Sequence, residues 1–299
     1  MNMYREDIPS TVCLACGNDD LEIKDAVISK FLLERIWNNS ISDKTNICHC
    51  KKCGFAFYSL RPNEDEMNKH YKNYRDDFYQ KQRQKYDSWY TKDINNLFDD
   101  PIAYKNRQRF TNKFLSKHID ATLIKSVLDY GGNTGIHIPQ IFKNAKKYVF
   151  DISCVKTIDG VQGFNNLDDV KKQKYDFVIS TEVLEHLSDP NQILKQLKEL
   201  IAENGYLFIE VPFDSPFYKH KTSKLQFLFN KYFSFKVILD RFLQERKYPF
   251  IMHEHINYFT ENSLKEMLEK IGLTVLDIST HITKCAQYNR EGISILAKI

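Results

Sequence analysis

The sequence predicts an α/β fold, a doubly wound and mostly parallel sheet, with a small metal-stapled unit at its N-terminal end. Three observations predict it. The stretch from Ser126 to Gly135 is a short apolar strand that runs into a glycine turn. From Lys174 to Pro212 a buried strand, an amphipathic helix and a second buried strand follow one another, the order of a parallel sheet. Near the start, Cys13 and Cys16 match Cys50 and Cys53 as two Cys-x-x-Cys knuckles.

In each knuckle a glycine follows the second cysteine, Gly17 and Gly54, where the backbone must turn so that amides face the sulfurs. Four thiolates at this spacing make a closed tetrahedral zinc site with no open position for water, so the role is structural. Cys48 and His49 crowd the second knuckle as substitute ligands but lack the matching glycine. A unit of residues 1–62 builds little core, and metal coordination compensates. Residues 63–120 read as a polar helical linker interrupted at Pro101. Tyr71, Tyr74, Phe78, Tyr79, Tyr86, Trp89, Tyr90 and Tyr104 run through it, several three or four apart. Such a stripe docks the helices onto the following domain or lines a substrate mouth.

Residues 121–299 form the main domain. Strand Ser126–Tyr130 holds Asp129 just before the glycines, and Ile136 to Phe142 has the spacing of a helix start with Pro139 in its first turn. A carboxylate at the strand end repels a pyrophosphate and suits a ligand with an ammonium group, such as S-adenosylmethionine. Strand Tyr148–Phe150 ends in Asp151, at the spacing from which an acid takes ribose hydroxyls. Gly160 to Phe164 is the best third strand. Lys174 to Ser180 is a fourth, and Thr181-Glu182-Val183-Leu184-Glu185-His186-Leu187-Ser188-Asp189-Pro190 follows it. Asn191 to Ile201 is an amphipathic helix capped by Asn204-Gly205, and Tyr206 to Pro212 is the fifth strand. Residues 213–250 interrupt the sheet with eight basic against three acidic residues, interleaved with aromatics. That segment fits a lid over an anionic substrate, a membrane-surface helix, an oligomer contact or a solvated helical face. After Met252-His253-Glu254-His255, Thr260 caps a helix that Gly272 ends, and a hairpin closes the chain.

At these residues the chain resembles the class I S-adenosylmethionine-dependent methyltransferases. Their glycine turn usually reads Asp-x-Gly-x-Gly-x-Gly. Here Asn133 stands at the middle glycine, the side chain that best tolerates a left-handed backbone. Thr181 to Pro190 matches the family's Glu-x-x-x-His with trailing Asp-Pro, and Glu254-His255 with Tyr258-Phe259 matches a Glu-His-x-x-Tyr-Phe segment. The latter belongs to a subfamily, including sugar C-methyltransferases, that also carries paired zinc knuckles. The resemblance covers nearly the whole chain. It implies a Rossmann-like methyltransferase fold with a zinc-ribbon-like unit. It implies cofactor contacts at Asp129, Tyr130, Gly131, Gly132, Asn133, Gly135, Asp151, Ile152, Phe164, Thr181 and Glu182, and zinc at Cys13, Cys16, Cys50 and Cys53. Carried over, His255 is the base, Glu254 its orienting partner and His186 a second polar group at the cofactor end. Each histidine also fits a plain structural hydrogen bond. Two departures tilt the expectation from carbon towards oxygen methylation: Met252 stands where a Tyr is common, and the subfamily's extra C-terminal domain is missing.

Composition bounds the rest. With 42% hydrophobic and 27% charged residues, 299 residues read as globular and cytoplasmic, with no membrane span or signal peptide. Seven cysteines, four of them in knuckles, favour a metal over a disulfide framework. A net charge of +4 is too mild to imply nucleic acid. The expected substrate is a small, anionic molecule, a sugar or nucleotide-linked sugar of polysaccharide or secondary-metabolite synthesis, and a homo-oligomer is compatible. An RNA-modifying enzyme and a non-catalytic scaffold are the alternatives.

Overall fold

Short runs of alternating or continuous apolar residues set the two sheets of the chain. A computed structural model describes residues 11–88, 90–92, 95, 101–153, 155–218, 249–285 and 289–299. They fall into two compact units, Met1–Asp99 with Asp214–Tyr258, and Asp100–Phe213 with Phe259–Ile299.

The first unit is built on a five-stranded sheet. Its strands are β1 (Leu21–Ile28), β2 (Lys44–Cys50), β3 (Ala56–Tyr58), β9 (Ile251–Met252) and β10 (Asn257–Tyr258), in the order β10-β3-β2-β1-β9. Helix α1 (Lys30–Trp37) links β1 to β2. Ser29 caps it by accepting from the Leu32 amide at 3.3 Å, and Asn38, with φ 50°, ends it in the left-handed conformation. Its buried face (Phe31, Leu32, Leu33, Ile36, Trp37) packs with Ile47, Tyr58, Tyr79, Tyr90, Met252 and Ile256. Helix α2 (Glu64–Tyr71) opens with a capping box between Asn63 and Glu66, and α3 (Asp77–Tyr86) opens on Asp76. Tyr79 and Tyr90 therefore complete this unit's own core, and Phe78 is exposed.

The second unit carries a seven-stranded sheet, with β4 (Ser126–Tyr130), β5 (Lys146–Phe150), β6 (Val161–Phe164), β7 (Tyr175–Thr181), β8 (Ile201–Pro212), β11 (Thr274–Lys284) and β12 (Asn289–Lys298). Their order is β11-β12-β8-β7-β4-β5-β6. Strands β4 to β8 pair in parallel, and the terminal hairpin adds two antiparallel strands at one edge. Helix α4 (Pro101–Leu115) starts on a proline, which needs no amide partner there. Helix α5 (Leu167–Val170) precedes β7, α6 (Pro190–Leu200) is capped by Asp189, and α7 (Glu261–Lys270) is capped by Thr260 in a box with Ser263. Leu194, Leu197 and Leu200 line the buried side of α6. Asn204 does not cap that helix. It adopts φ 62° inside β8, where the pairing with β7 slips between Tyr175 and Phe177.

The helix expected from Ile136 does not form. Only a 3-10 turn, Gln140–Phe142, appears. The reason lies 28 residues upstream, in buried Gln108 on α4. Its Nε2 donates towards the carbonyls of Ile136, His137 and Ile138, at 3.5, 3.1 and 3.2 Å, and its Oε1 accepts from the Gln140 amide at 3.2 Å. Those carbonyls would otherwise seek helical amides, and Pro139 has none to give. Gln108→Ala strands these buried groups, and we expect it to cost about 1–3 kcal/mol of stability in chemical denaturation. An unchanged denaturation midpoint would show that Gln108 does not hold the segment.

Candidate functional site

The parallel sheet changes direction at β4. From β4 the chain builds outward through β5 and β6 on one side and through β7 and β8 on the other. Such a switch point opens a crevice beyond the carboxyl ends of the strands. The glycine turn after β4 lies there. Gly131 has φ 76°, and a Cβ on it would lie 2.6 Å from Val183 Cγ2. A Cβ on Gly132 would lie 2.2 Å from the Asp129 carboxyl, so only glycine admits that side chain. Asn133 takes φ 52°, the left-handed conformation anticipated for it.

Asp129 is 1% exposed, and neither carboxylate oxygen has a hydrogen-bond partner among the described residues. Burial, reinforced by the charge of Asp151 and partly offset by Arg107, pushes its carboxyl up to about 7. A buried carboxylate lacking a partner is costly unless a cation completes it. Asp151 lies at the end of β5. Its Oδ2 accepts from the Asn133 amide at 2.8 Å, and its Oδ1 accepts from the Ser153 amide at 2.8 Å and hydroxyl at 2.5 Å. These bonds tie the turn to the second acid. Tyr130 packs against Phe150 with ring centres 4.9 Å apart. Ile152 is exposed, Phe164 is half-buried and stacks on Tyr148, and Gly135 has φ 81°.

Thr181 ends β7, and Glu182 follows with φ 55°. The Glu182 carboxylate pairs with Arg107 of α4 and, at 2.9 Å, with Arg290 of β12. Arg107 Nε also lies 2.7 Å from Glu210, whose carboxylate accepts from Ser294 at 3.2 Å. Burial works against the charge on Glu182, but the two guanidiniums outweigh it and hold the carboxyl well below the usual range. Sequence reasoning missed Arg107, Arg290 and Glu210; they are far apart in the chain and carry no motif. His186 closes a 3-10 turn, Leu184–His186, with Nε2 3.7 Å from Glu185.

In the first unit the four knuckle sulfurs lie within 4.8 Å of one another. Cys13 and Cys53, and Cys16 and Cys50, are each 3.6 Å apart. A disulfide needs about 2 Å. Corners of a tetrahedron with metal–sulfur bonds of about 2.3 Å lie about 3.8 Å apart, so the donor set fits zinc. Gly17 and Gly54 have φ 78° and 77°, and each donates its amide to the first cysteine of its knuckle at 2.9 Å. Cys48 and His49 stand outside this group; His49 stacks on Phe217, ring centres 4.3 Å apart.

The Glu254–His255 segment also belongs to the first unit, whereas His186 belongs to the second. Glu254 is held by residues of the linker segment. Its carboxylate accepts from Tyr74 at 3.2 Å, from Tyr79, and from Arg83 at 2.5 Å. Burial alone would raise this carboxyl, but the charges around it, Arg83 first, hold it well below the usual range. His255 instead places Nδ1 2.7 Å from Asp214 Oδ2. The two side chains thus meet different partners.

A buried, unpartnered acid beside a glycine turn, at the switch point of a doubly wound sheet, defines a site for a cationic nucleoside cofactor. Comparison with known proteins gives the family: residues 103–278, more than half of the chain, match the family model described as a methyltransferase domain. The chain belongs to that family, and this region is an S-adenosylmethionine-dependent methyltransferase domain. It is similar to the C-methyltransferase NovU of Streptomyces niveus, 23% identical over 168 residues, covering 52% of this chain and 34% of that protein. The match thus spans about a third of the curated relative's length. Among solved structures, it is similar to the 1,6-didemethyltoxoflavin-N1-methyltransferase of Burkholderia thailandensis, described with 1,6-didemethyltoxoflavin and S-adenosylhomocysteine bound. Identity there is 14% and the TM-score 0.45, over 85% of this chain and 95% of that one. It is also similar to the N-methyltransferase NodS of Bradyrhizobium japonicum in complex with S-adenosylhomocysteine. Identity is 13% and the TM-score 0.40, over 68% and 90%. Among the described residues, no helix is long and apolar enough to cross a membrane. Most of the basic insert, residues 219–248, and Trp89 lie outside the described residues.

Proposed function

We propose that the chain transfers a methyl group from S-adenosylmethionine to a hydroxyl of a small, anionic sugar or nucleotide-linked sugar. The observation that carries the cofactor half is Asp129, a buried carboxylate with two unpartnered oxygens against Gly132. When bound, the cofactor supplies an electrophilic methyl on a sulfonium. Asp129 holds its ammonium group and Asp151 the ribose hydroxyls. The backbone of Gly131, Gly132, Asn133 and Gly135 leaves room for close approach, with Tyr130, Ile152, Phe164, Thr181 and Glu182 along the same strand ends. His255 removes the acceptor proton as a general base, and His186 supplies a further polar group. Cys13, Cys16, Cys50 and Cys53 hold one structural zinc. A second reading, C-methylation beside a carbonyl, is favoured by one observation: the matched curated relative is named a C-methyltransferase. Mass spectrometry of nucleotide-sugars incubated with protein and labelled S-adenosylmethionine separates the two by the atom that gains the label.

The raised Asp129 carboxyl gives a test with a definite sign. Its folded value of about 7 lies above the ordinary 3.8, so the folded form holds its proton more tightly than the unfolded chain. The ionised carboxylate therefore costs stability as pH rises from about 4 to 7, by a few kcal/mol. A bound cation reverses that cost. We expect Asp129→Asn to raise the melting temperature of the ligand-free protein at pH 8, yet to weaken S-adenosylhomocysteine binding roughly tenfold or more. Wild-type affinity should fall as the pH drops below 7, and the variant should lose that dependence. Calorimetry that finds equal affinity in both proteins at pH 8, or tight NADH binding, would overturn the cofactor assignment.

A further inference from the structure

We infer that Asp214 is the positioning residue of His255, fixing its imidazole with the proton on Nδ1 and the lone pair on Nε2. This rests on the reading of His255 as the base. The geometry of the segment leaves Asp214 that task. On one side of His255, Glu254 is anchored by Tyr74, Tyr79 and Arg83. On the other side, the carbonyl of buried Ile256 accepts from the Tyr58 amide at 3.0 Å and from Arg61 at 3.2 Å. Arg61 also donates to Asn257 Oδ1 at 2.7 Å. The backbone around His255 is therefore held at both ends, and Asp214 reaches the ring.

Asp214 Oδ2 stands 2.7 Å from Nδ1. An ionised carboxylate has no proton to give, so the imidazole must be the donor in this bond. A neutral ring that donates from Nδ1 has its acceptor at Nε2, the form a base needs. An acid that orients a histidine through Nδ1 in this way selects tautomer and direction without taking the proton itself. The Glu254 carboxylate is engaged by two tyrosines and an arginine, whereas Asp214 meets Nδ1 directly. Asp214 and His255 side chains are 41% and 28% exposed. A solvent-touched pair contributes little to stability, so its effect is on the tautomer.

The test is nitrogen-15 NMR of the imidazoles in the full chain, recorded where the rings are neutral, with His255 assigned by its loss in His255→Gln. We expect the wild-type ring to show the Nδ1–H correlation pattern. Asp214→Ala should convert it mainly to the Nε2–H pattern, and Asp214→Glu should restore Nδ1–H. An Nε2–H pattern in the wild type, or an unchanged Nδ1–H pattern in Asp214→Ala, overturns the positioning role. Should the alanine variant melt early, the wild-type pattern alone still decides. None of these spectra depends on turnover. A fully active His255→Ala enzyme would instead overturn the base reading and leave the tautomer result intact.

Discussion

If the four knuckle cysteines hold the proposed zinc, chelation, or replacing Cys13 or Cys50 by serine, should unfold the first unit and open it to protease. Structural zinc in small domains contributes about 10–16 kcal/mol apparent binding energy at pH 7. A whole domain is stable by only about 5–15 kcal/mol. Cys13 and Cys16 lie before β1, Cys50 ends β2 and Cys53 lies in the turn before β3, so the four sulfurs join two separate turns. The apolar core around Phe31, Ile47 and Tyr58 should lessen that loss. Elemental analysis should find about one zinc per chain. Metal-free native protein, with serine variants that melt normally, would remove the site.

His255→Ala should lower turnover by roughly 10²–10⁴-fold, the usual contribution of a positioned acid–base group. The residues proposed to hold the cofactor belong to the second unit and His255 to the first, so S-adenosylhomocysteine affinity should stay near wild type. Single-turnover methyl transfer, once labelled cofactor has identified an acceptor, reads the effect directly. Normal turnover in this variant would make His186 or a linker tyrosine the next candidate. The environment of Glu254 predicts a different failure there. Removing its carboxylate leaves the buried Arg83 guanidinium with less compensation, so a lost fold precedes any lost chemistry.

Local signals in the chain were legible where local physics decides. Asp129 and its glycines, the apolar run of β7, the amphipathic face of α6 and the Thr260 cap all act within a few residues. The two knuckles were legible because ligand spacing is itself a local rule. What stayed hidden depends on distant partners. Nothing near Ile136 announces that Gln108 takes its carbonyl. Asp214 is 41 residues before His255, and Arg107 is 75 before Glu182. Strands β9 and β10 are two residues each, too short for any periodicity to register. They exist because β1 and β3 offer them unpaired backbone.

Those two short strands also set a schedule. The first unit's sheet is finished by residues 251–258, yet its other three strands are complete by residue 58. During synthesis, β1 and β3 wait with open edges while about 190 further residues are added. At about 5–20 residues per second that is on the order of 10–40 s. A nascent chain in that interval cannot close its sheet, and a fragment ending at residue 99 would stay in that state. Its exposed edges would pair with other chains, so the ribosome-bound stage, more than the finished protein, is where this sequence is most vulnerable to aggregation.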